Sequence, residues 1–293
     1  MGVERSATAF SNGLRLHYLD WPGGAPAVLC LPGITANAHA FAGLAQELSP
    51  HLRVLAMDLR GRGESDKPPT GYTMEAHVAD AAGLMDAVDI SQGVVIGWSL
   101  GAKIAMALAA THPHRVDRLV LLEPPVETPA EAVAALRAFW ARLDNTYASV
   151  DEFLGRMRSS GVFKTWSPYV ERYLRADVEQ TAEGLVRHRV PRFVPELELA
   201  AESAYPTRAY YSRIACPTLI LRAVRPLARE GDQVLPAADA REMAAAIPDC
   251  QLVEVDGADH ISILLGKPAE TIGAISHFLD VPRPRSLIQQ ELP

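Results

Sequence analysis

The run Gly97-Trp98-Ser99-Leu100-Gly101 has the pattern G-x-S-x-G, directly after the apolar stretch Val94 to Ile96 and directly before a helix-like stretch from Leu100 to Thr111. A tight strand-to-helix turn strains the backbone of its central residue, and the flanking glycines let the chain pass close to itself. Ser99 is then raised at a helix N-terminus, where free N–H groups and the positive end of the dipole favour developing negative charge. The chemistry so prepared is attack of a serine hydroxyl on an acyl carbon. A serine hydroxyl is a weak nucleophile at neutral pH, so it needs a base, and the base needs an orienting carboxylate. His260 is the candidate base. It follows Asp256-Gly257-Ala258-Asp259, just past the last strand expected, on a loop that a doubly wound sheet brings to the same edge as Ser99. Among the other histidines, His112 and His114 end the helix after the serine, His17, His51, His77, His188 and His277 lie in no motif, and His39 reads equally as a pocket or a surface residue.

The elements that must position these groups alternate in type. Short apolar runs at Leu14 to Tyr18, Ala27 to Leu31, Val54 to Asp58, Val94 to Gly97, Leu119 to Leu122, Thr218 to Arg222 and Leu252 to Val255 read as strands, most of them buried on both faces. Between them His39 to Leu48, Met74 to Val88, Leu100 to Thr111, Ala237 to Ile247 and Lys267 to Leu279 read as helices. That is the pattern of a mostly parallel, doubly wound α/β sheet with an N-terminal antiparallel strand. The alternation breaks between Pro124 and Tyr211, where no strand is evident and several helices carry the aromatics Phe139, Trp140, Tyr147, Phe153, Phe163, Trp166, Tyr169 and Tyr173. Such an insertion is a cap over a pocket. Trp98, beside the serine, and Trp140, in the cap, are the expected substrate contacts. Cap arginines such as Arg137, Arg142, Arg156, Arg187 and Arg189 can clamp a carboxylate bidentately, although ion pairs with cap acids are the plainer reading of each.

Composition narrows the function classes. The 293 residues carry 28 Lys+Arg against 35 Asp+Glu, a formal charge of −7, which is wrong for a phosphate-backbone binder, so nucleic acid is not an expected partner. Cys30, Cys216 and Cys250 are odd in number and widely spaced, which supports neither a disulfide framework nor a zinc site. Glu4 and Arg5 stand where a signal peptide needs apolar residues, and no apolar run is long enough for a membrane span. The expectation is a cytoplasmic protein that touches no membrane and takes a small-molecule ester or lactone. No Walker A loop, dinucleotide fingerprint or metal-ligand spacing is present, so no cofactor and no metal are implied.

In matching order across nearly the whole chain, Leu31-Pro32-Gly33-Ile34, Asp58-Leu59-Arg60-Gly61-Arg62-Gly63-Glu64-Ser65, the serine turn and Gly257-Ala258-Asp259-His260 resemble the α/β-hydrolase superfamily. Gly33-Ile34-Thr35-Ala36-Asn37 and Ser65-Asp66-Lys67-Pro68 are most similar to the 2-(acetamidomethylene)succinate hydrolase type and its esterase and lactonase relatives. The resemblance implies an α/β-hydrolase fold with a helical cap inserted after the sixth strand: a core of residues 1–123 and 213–280, a cap of 124–212 and a loose tail of 281–293. It also implies oxyanion donors at the N–H groups of Ile34 and Leu100. Two departures stand out: Pro32-Gly33 where the family usually has His-Gly, and Trp98 where it has histidine before the serine. Neither removes a proton carrier.

The acid is open on this resemblance. Most of the family carries it nine residues beyond the Pro of a P-T-L run, which here falls on Pro226. Asp232 recovers the downstream spacing to Pro236 if the intervening loop holds an insertion. Glu123, directly after the strand ending at Leu122, matches members that carry the acid on this earlier strand. Its place at a strand end, on rigid scaffold, favours it over Asp232. In the D-x-R-G-x-G-x-S stretch, Asp58 reads as part of a structural turn. The chemistry expected is acyl transfer through Ser99 to water. A carbon–carbon or amide bond hydrolase on the same residues, and a hydrolase-fold ligand receptor, are the alternatives.

Overall fold

A computed structural model describes residues 4–126, 128, 130–201, 207–227, 232–266 and 269–282. The chain opens with a hairpin, β1 (Arg5–Ser11) and β2 (Leu14–Trp21), turned at Asn12 and Gly13, both with positive φ, as a two-residue turn matched to strand twist requires. β1 was not among the expected strands because its small and polar residues face solvent at the sheet edge and carry little apolar alternation. β3 (Val28–Leu31) and β4 (Val54–Met57) follow with α1 (Ala42–Leu48) between them, preceded by a 3-10 turn over Ala38–Phe41 that splits the longer helix expected from His39. α2 (Met74–Ala87), β5 (Gly93–Trp98), α3 (Leu100–Thr111) and β6 (Val116–Leu122) complete the first half.

Beyond β6 the chain leaves the sheet through α4 (Ala130–Trp140), α5 (Val150–Ser159), α6 (Pro168–Ala176) and α7 (Phe193–Ala201). This insert is not purely helical, contrary to expectation. β7 (Thr146–Tyr147), β8 (Val178–Gln180) and β9 (Val186–His188) form a three-stranded antiparallel sheet ordered β7-β9-β8. Strands of two or three residues are too short to show alternation in sequence.

The chain then returns through β10 (Thr218–Ala223), α8 (Ala237–Ala246), β11 (Cys250–Val255), the single turn α9 (Ser262–Leu265) and α10 (Ala269–Phe278). The main sheet has eight strands in the order β1-β2-β4-β3-β5-β6-β10-β11, parallel from β4 through β11. Alternate residues of the same strands feed two cores, as the two-residue period dictates. Cys30, Ala56, Ile96 and Leu221 pack on the face covered by α1 and α10, whereas Leu29, Leu55, Val95 and Ile220 pack on the face covered by α2, α3 and α8. Tyr147, Phe153, Tyr173 and Leu174 of the insert join the first of these cores, so the insert is seated on the sheet domain by apolar burial. Most of the expected C-terminal tail, from residue 283, lies outside the described residues.

Candidate active site

The parallel strands carry their carboxyl ends to one edge, and Ser99 after β5, Glu123 after β6 and the His260 loop after β11 lie there. Ser99 follows β5 and caps α3 with φ 57° and ψ −119°, a conformation disfavoured for any residue with a Cβ. The turn is over-determined by its surroundings. The Ser99 N–H donates to Leu122 O at 3.0 Å and Ser99 O accepts from Ala102 N–H at 2.9 Å. A Cβ on Gly97 would overlap the Gly101 carbonyl, and one on Gly101 would overlap the Leu31 carbonyl.

The loop after β3 lies against this turn. A Cβ on Gly33 would stand 3.3 Å from Ser99 Cβ and 3.5 Å from the Trp98 ring, so only a glycine lets the loop come this near without displacing them. Gly33 O accepts from Ala36 N–H at 3.0 Å, and Ile34 O accepts from Arg62 Nε and Nη2 at 3.0 and 2.7 Å. Asn37 caps the 3-10 turn through its side chain and donates Nδ2–H to Tyr173 O of the insert at 3.2 Å. Ile34 packs against a buried cluster of Tyr72, Trp140, Leu143, Val190 and Val194. Trp140 is therefore part of the wall behind Ile34, with its ring enclosed by protein.

His260 is reached by residues from the ends of β5 and β6. Its Nδ1 lies 3.4 Å from Glu123 Oε2, a long contact of the kind that tightens when a substrate is bound. Glu123 is fully buried and has φ 49°; its N–H donates to Leu221 O at 2.9 Å and its Oε1 accepts from Ala223 N–H at 2.7 Å. Two backbone bonds to β10 thus aim one carboxylate oxygen and leave the other facing the imidazole. Asp232 stands half-buried on the loop ahead of Pro236, while the Glu123 carboxylate lies at His260 Nδ1. Trp98 donates its indole N–H to His260 O at 2.9 Å, and the two rings lie 5.6 Å apart. Trp98 is buried and braces the histidine loop and Gly33 together.

Asp259 anchors the same loop. Its Oδ1 accepts from Ile261 N–H, Ser262 N–H and Ser262 Oγ–H, and its Oδ2 pairs with Lys164 of the insert at 2.9 Å. Burial pushes this carboxyl up, but the Ser262 bonds and the Lys164 charge outweigh it and hold the group below its ordinary range.

The Asp58 stretch is a buried turn, as its glycines suggest. Asp58 accepts from Ala38 N–H at 2.7 Å and Glu64 N–H at 2.9 Å and meets His17 Nδ1 at 2.7 Å, so His17, which lies in no motif, is a core ion-pair partner. His39 accepts from Arg172 Nε at 3.1 Å, and burial together with the Arg172 charge lowers its pKa to about 4. Of the five arginines named as carboxylate clamps, Arg156 pairs with Glu152, Arg187 and Arg189 pair with Glu179, Arg142 lies over the Phe139 ring and Arg137 is exposed. The sequence reading did not single out Arg62, Glu198 and His77, whose buried side chains meet behind Ile34. The one signal for Arg62 is its place between Gly61 and Gly63, a turn that lets its side chain point inward.

Comparison with known proteins gives the family of the fold. Residues 26–267 match the family model described as alpha/beta hydrolase fold. The chain is 30% identical over 277 residues to a 2-(acetamidomethylene)succinate hydrolase of Mesorhizobium japonicum, a match covering 88% of this chain and 89% of that protein. It superimposes on the crystal structure of an E-2-(acetamidomethylene)succinate hydrolase with a TM-score of 0.83 at 25% identity, covering 95% of this chain and all of the other. An enol-lactonase from Burkholderia xenovorans LB400 superimposes with a TM-score of 0.72 at 28% identity, over 94% of this chain and all of the other.

Proposed function

The chain is a member of the α/β hydrolase fold family, and on that premise we propose that it is a serine hydrolase that cleaves a small ester or lactone without a cofactor. The observation that carries the reading is the meeting, at one sheet edge, of a strained Ser99, a Glu123 carboxylate aimed at His260, and a loop turned tightly against the serine. In the reaction, Ser99 Oγ attacks the substrate carbonyl while His260 Nε2 takes its proton. Glu123 holds the imidazole by Nδ1 and stabilises the imidazolium as it forms. The N–H groups of Ile34 and Leu100 receive the oxyanion, each such donor contributing about 2.7 to 4 kcal/mol of transition-state stabilisation. His260 returns the proton to the leaving alkoxide, and the acyl enzyme is released by water through the same steps. The expected substrate contacts at Trp98 and Trp140 give way to supporting roles, since both rings are buried in protein, Trp98 under the histidine loop and Trp140 behind Ile34, and the insert acts as the cap.

The expected ligand is small and uncharged by phosphate, in keeping with the −7 charge of the chain. Among the described residues no helix is long and apolar enough to cross a membrane. The three free thiols suit a reducing compartment, which supports the cytoplasm as the place of action.

A second reading is cleavage of an amide by the same residues. It is supported by the relative at 30% identity, whose name carries an acetamido group. The test of the main reading is steady-state hydrolysis of a graded panel of nitrophenyl esters and simple lactones by the intact protein and by Ser99→Ala. Rapid turnover abolished by the substitution is the expected result. Turnover that survives Ser99→Ala would refute the serine mechanism, and a chain that turns over only N-acyl substrates would move the assignment to the second reading.

A further inference from the structure

We propose that Glu198, carried on the insert, is a positioning residue for the oxyanion loop, acting through Arg62 on Ile34. The inference deepens the reading above, because it rests on the Ile34 N–H as an oxyanion donor. Arg62 is removed from water altogether, the largest charged side chain in the fully buried set. Its Nε and Nη2 fork onto Ile34 O at 3.0 and 2.7 Å, its Nη1 donates to Arg60 O at 2.8 Å, and its Nη2 also pairs with Glu198. A guanidinium in such a place is tolerated only beside an anion with its remaining donors satisfied. The anion comes from α7, more than a hundred residues downstream, and its second oxygen meets His77 Nε2 at 2.8 Å. Burial pushes the Glu198 carboxyl up, but the Arg62 charge and the His77 bond prevail and keep it below the ordinary range, so it stays ionised.

The consequence for Ile34 follows from peptide geometry. An N–H and the carbonyl of the preceding residue lie in one plane and point in opposite directions. Gly33 O is fixed by Ala36 N–H, which aims the Ile34 N–H, and Ile34 O is fixed by the Arg62 fork, which holds the next plane. Both planes flanking the donor are therefore set, and one of them by a charge whose counter-ion sits on the insert. Seating the insert and aiming the oxyanion donor are one event.

The test compares Glu198→Gln, which keeps the volume and removes the charge, with the intact protein in three measurements. Nitrophenyl ester kinetics are expected to show kcat about 10- to 100-fold lower, below the roughly 100- to 1,000-fold cost of deleting a donor outright, with KM within about twofold. A trifluoromethyl ketone, which adds to the serine and places an oxyanion in the same hole, is expected to bind weaker by the same factor as kcat falls. Amide hydrogen exchange over residues 31–37 is expected to quicken. Glu198→Asp should recover part of each loss. Unchanged exchange over 31–37, or a raised KM with kcat intact, would overturn the inference, since either would show that the pair only fastens the insert. Ser99→Ala in parallel keeps the two claims apart: turnover that survives it refutes the serine mechanism, while the exchange measurement still decides the loop. Should Glu198→Gln fail to fold, Arg62→Lys, which keeps the charge beside Glu198 but cannot fork onto Ile34 O, is expected to lower kcat with KM unchanged, and no change in kcat or exchange would refute the coupling.

Discussion

Ser99 and Glu123 each leave the carboxyl end of a neighbouring parallel strand with positive φ, and the Ser99 N–H is bonded to the carbonyl just before Glu123. Ser99 and the Glu123 carboxylate are thus fixed in register by the sheet, and in the proposed mechanism His260 needs only to be brought between them. Glu123→Gln keeps the Ala223 N–H bond to Oε1 and removes the charge facing His260 Nδ1. Its effect on acylation is expected to be a loss of about a thousand- to ten-thousand-fold, as for other triad carboxylates. Asp232→Asn is expected to change the rate less than about threefold, as for a residue outside the reacting group. Burst kinetics with a nitrophenyl ester read both, and the reverse order of losses would hand the role to Asp232.

The serine turn is intolerant of side chains for a different reason from its chemistry. A Cβ on Gly97 meets the Gly101 carbonyl and the Ala102 backbone, none of which is the free end of a flexible group. Gly97→Ala is expected to destabilise the fold by about 3 kcal/mol, the upper part of the range for overpacking. Urea unfolding followed by fluorescence measures it, and a loss under about 1 kcal/mol would mean that the turn relaxes more readily than its backbone contacts imply.

The buried strands were legible because residues buried on both faces must be apolar, and β3, β4, β5 and β10 are buried along their whole length. The serine turn was legible because its two glycines are sterically required. The preference for Glu123 gains a three-dimensional support that no residue spacing records: two backbone bonds to β10 aim its carboxylate. β1 and the small strands of the insert were missed because they are edge or near-edge segments whose pairing, and not their composition, makes them strands. The Arg62, Glu198 and His77 set was invisible for the same reason, since its members come from three separate elements.

His17 and Asp58 give stability a pH window. Burial opposes the charge on His17, but the Asp58 bond and charge, with Glu64, overcome it and raise its pKa above 6.5. Burial likewise opposes the Asp58 charge, and His17 with the Glu64 and Ala38 N–H bonds holds its pKa below 3.8. A raised histidine contributes stability that is complete below its unfolded value and fades as pH rises through the folded one; a depressed carboxyl contributes stability above its unfolded value and loses it in acid. The pair therefore contributes fully between about pH 3.8 and 6.5. The stability gap between the intact protein and His17→Gln is expected to be larger at pH 5.5 than at pH 9. Urea titrations at the two values decide, and an equal gap would show that His17 does not titrate across that range.

Lys164 and Asp259 tie the insert to the histidine loop, and the two ends of that tie differ in environment. The Lys164 side chain is 43% exposed, whereas that of Asp259 is 2% exposed and holds the Ile261 and Ser262 N–H groups as well. Lys164→Met should therefore cost less than about 1 kcal/mol, as for other solvent-screened pairs. Asp259→Ala strands three donors of the loop that carries His260, and a cost of about 2 to 3 kcal/mol is expected for leaving them unpaired. Because Trp98 still holds the His260 carbonyl, the loop should remain in place but lose its aim, so kcat should fall more than KM rises in Asp259→Ala. Thermal unfolding and ester kinetics on both variants measure the contrast. Equal losses in the two would mean that the ion pair with the insert, and not the loop's own hydrogen bonds, holds the histidine.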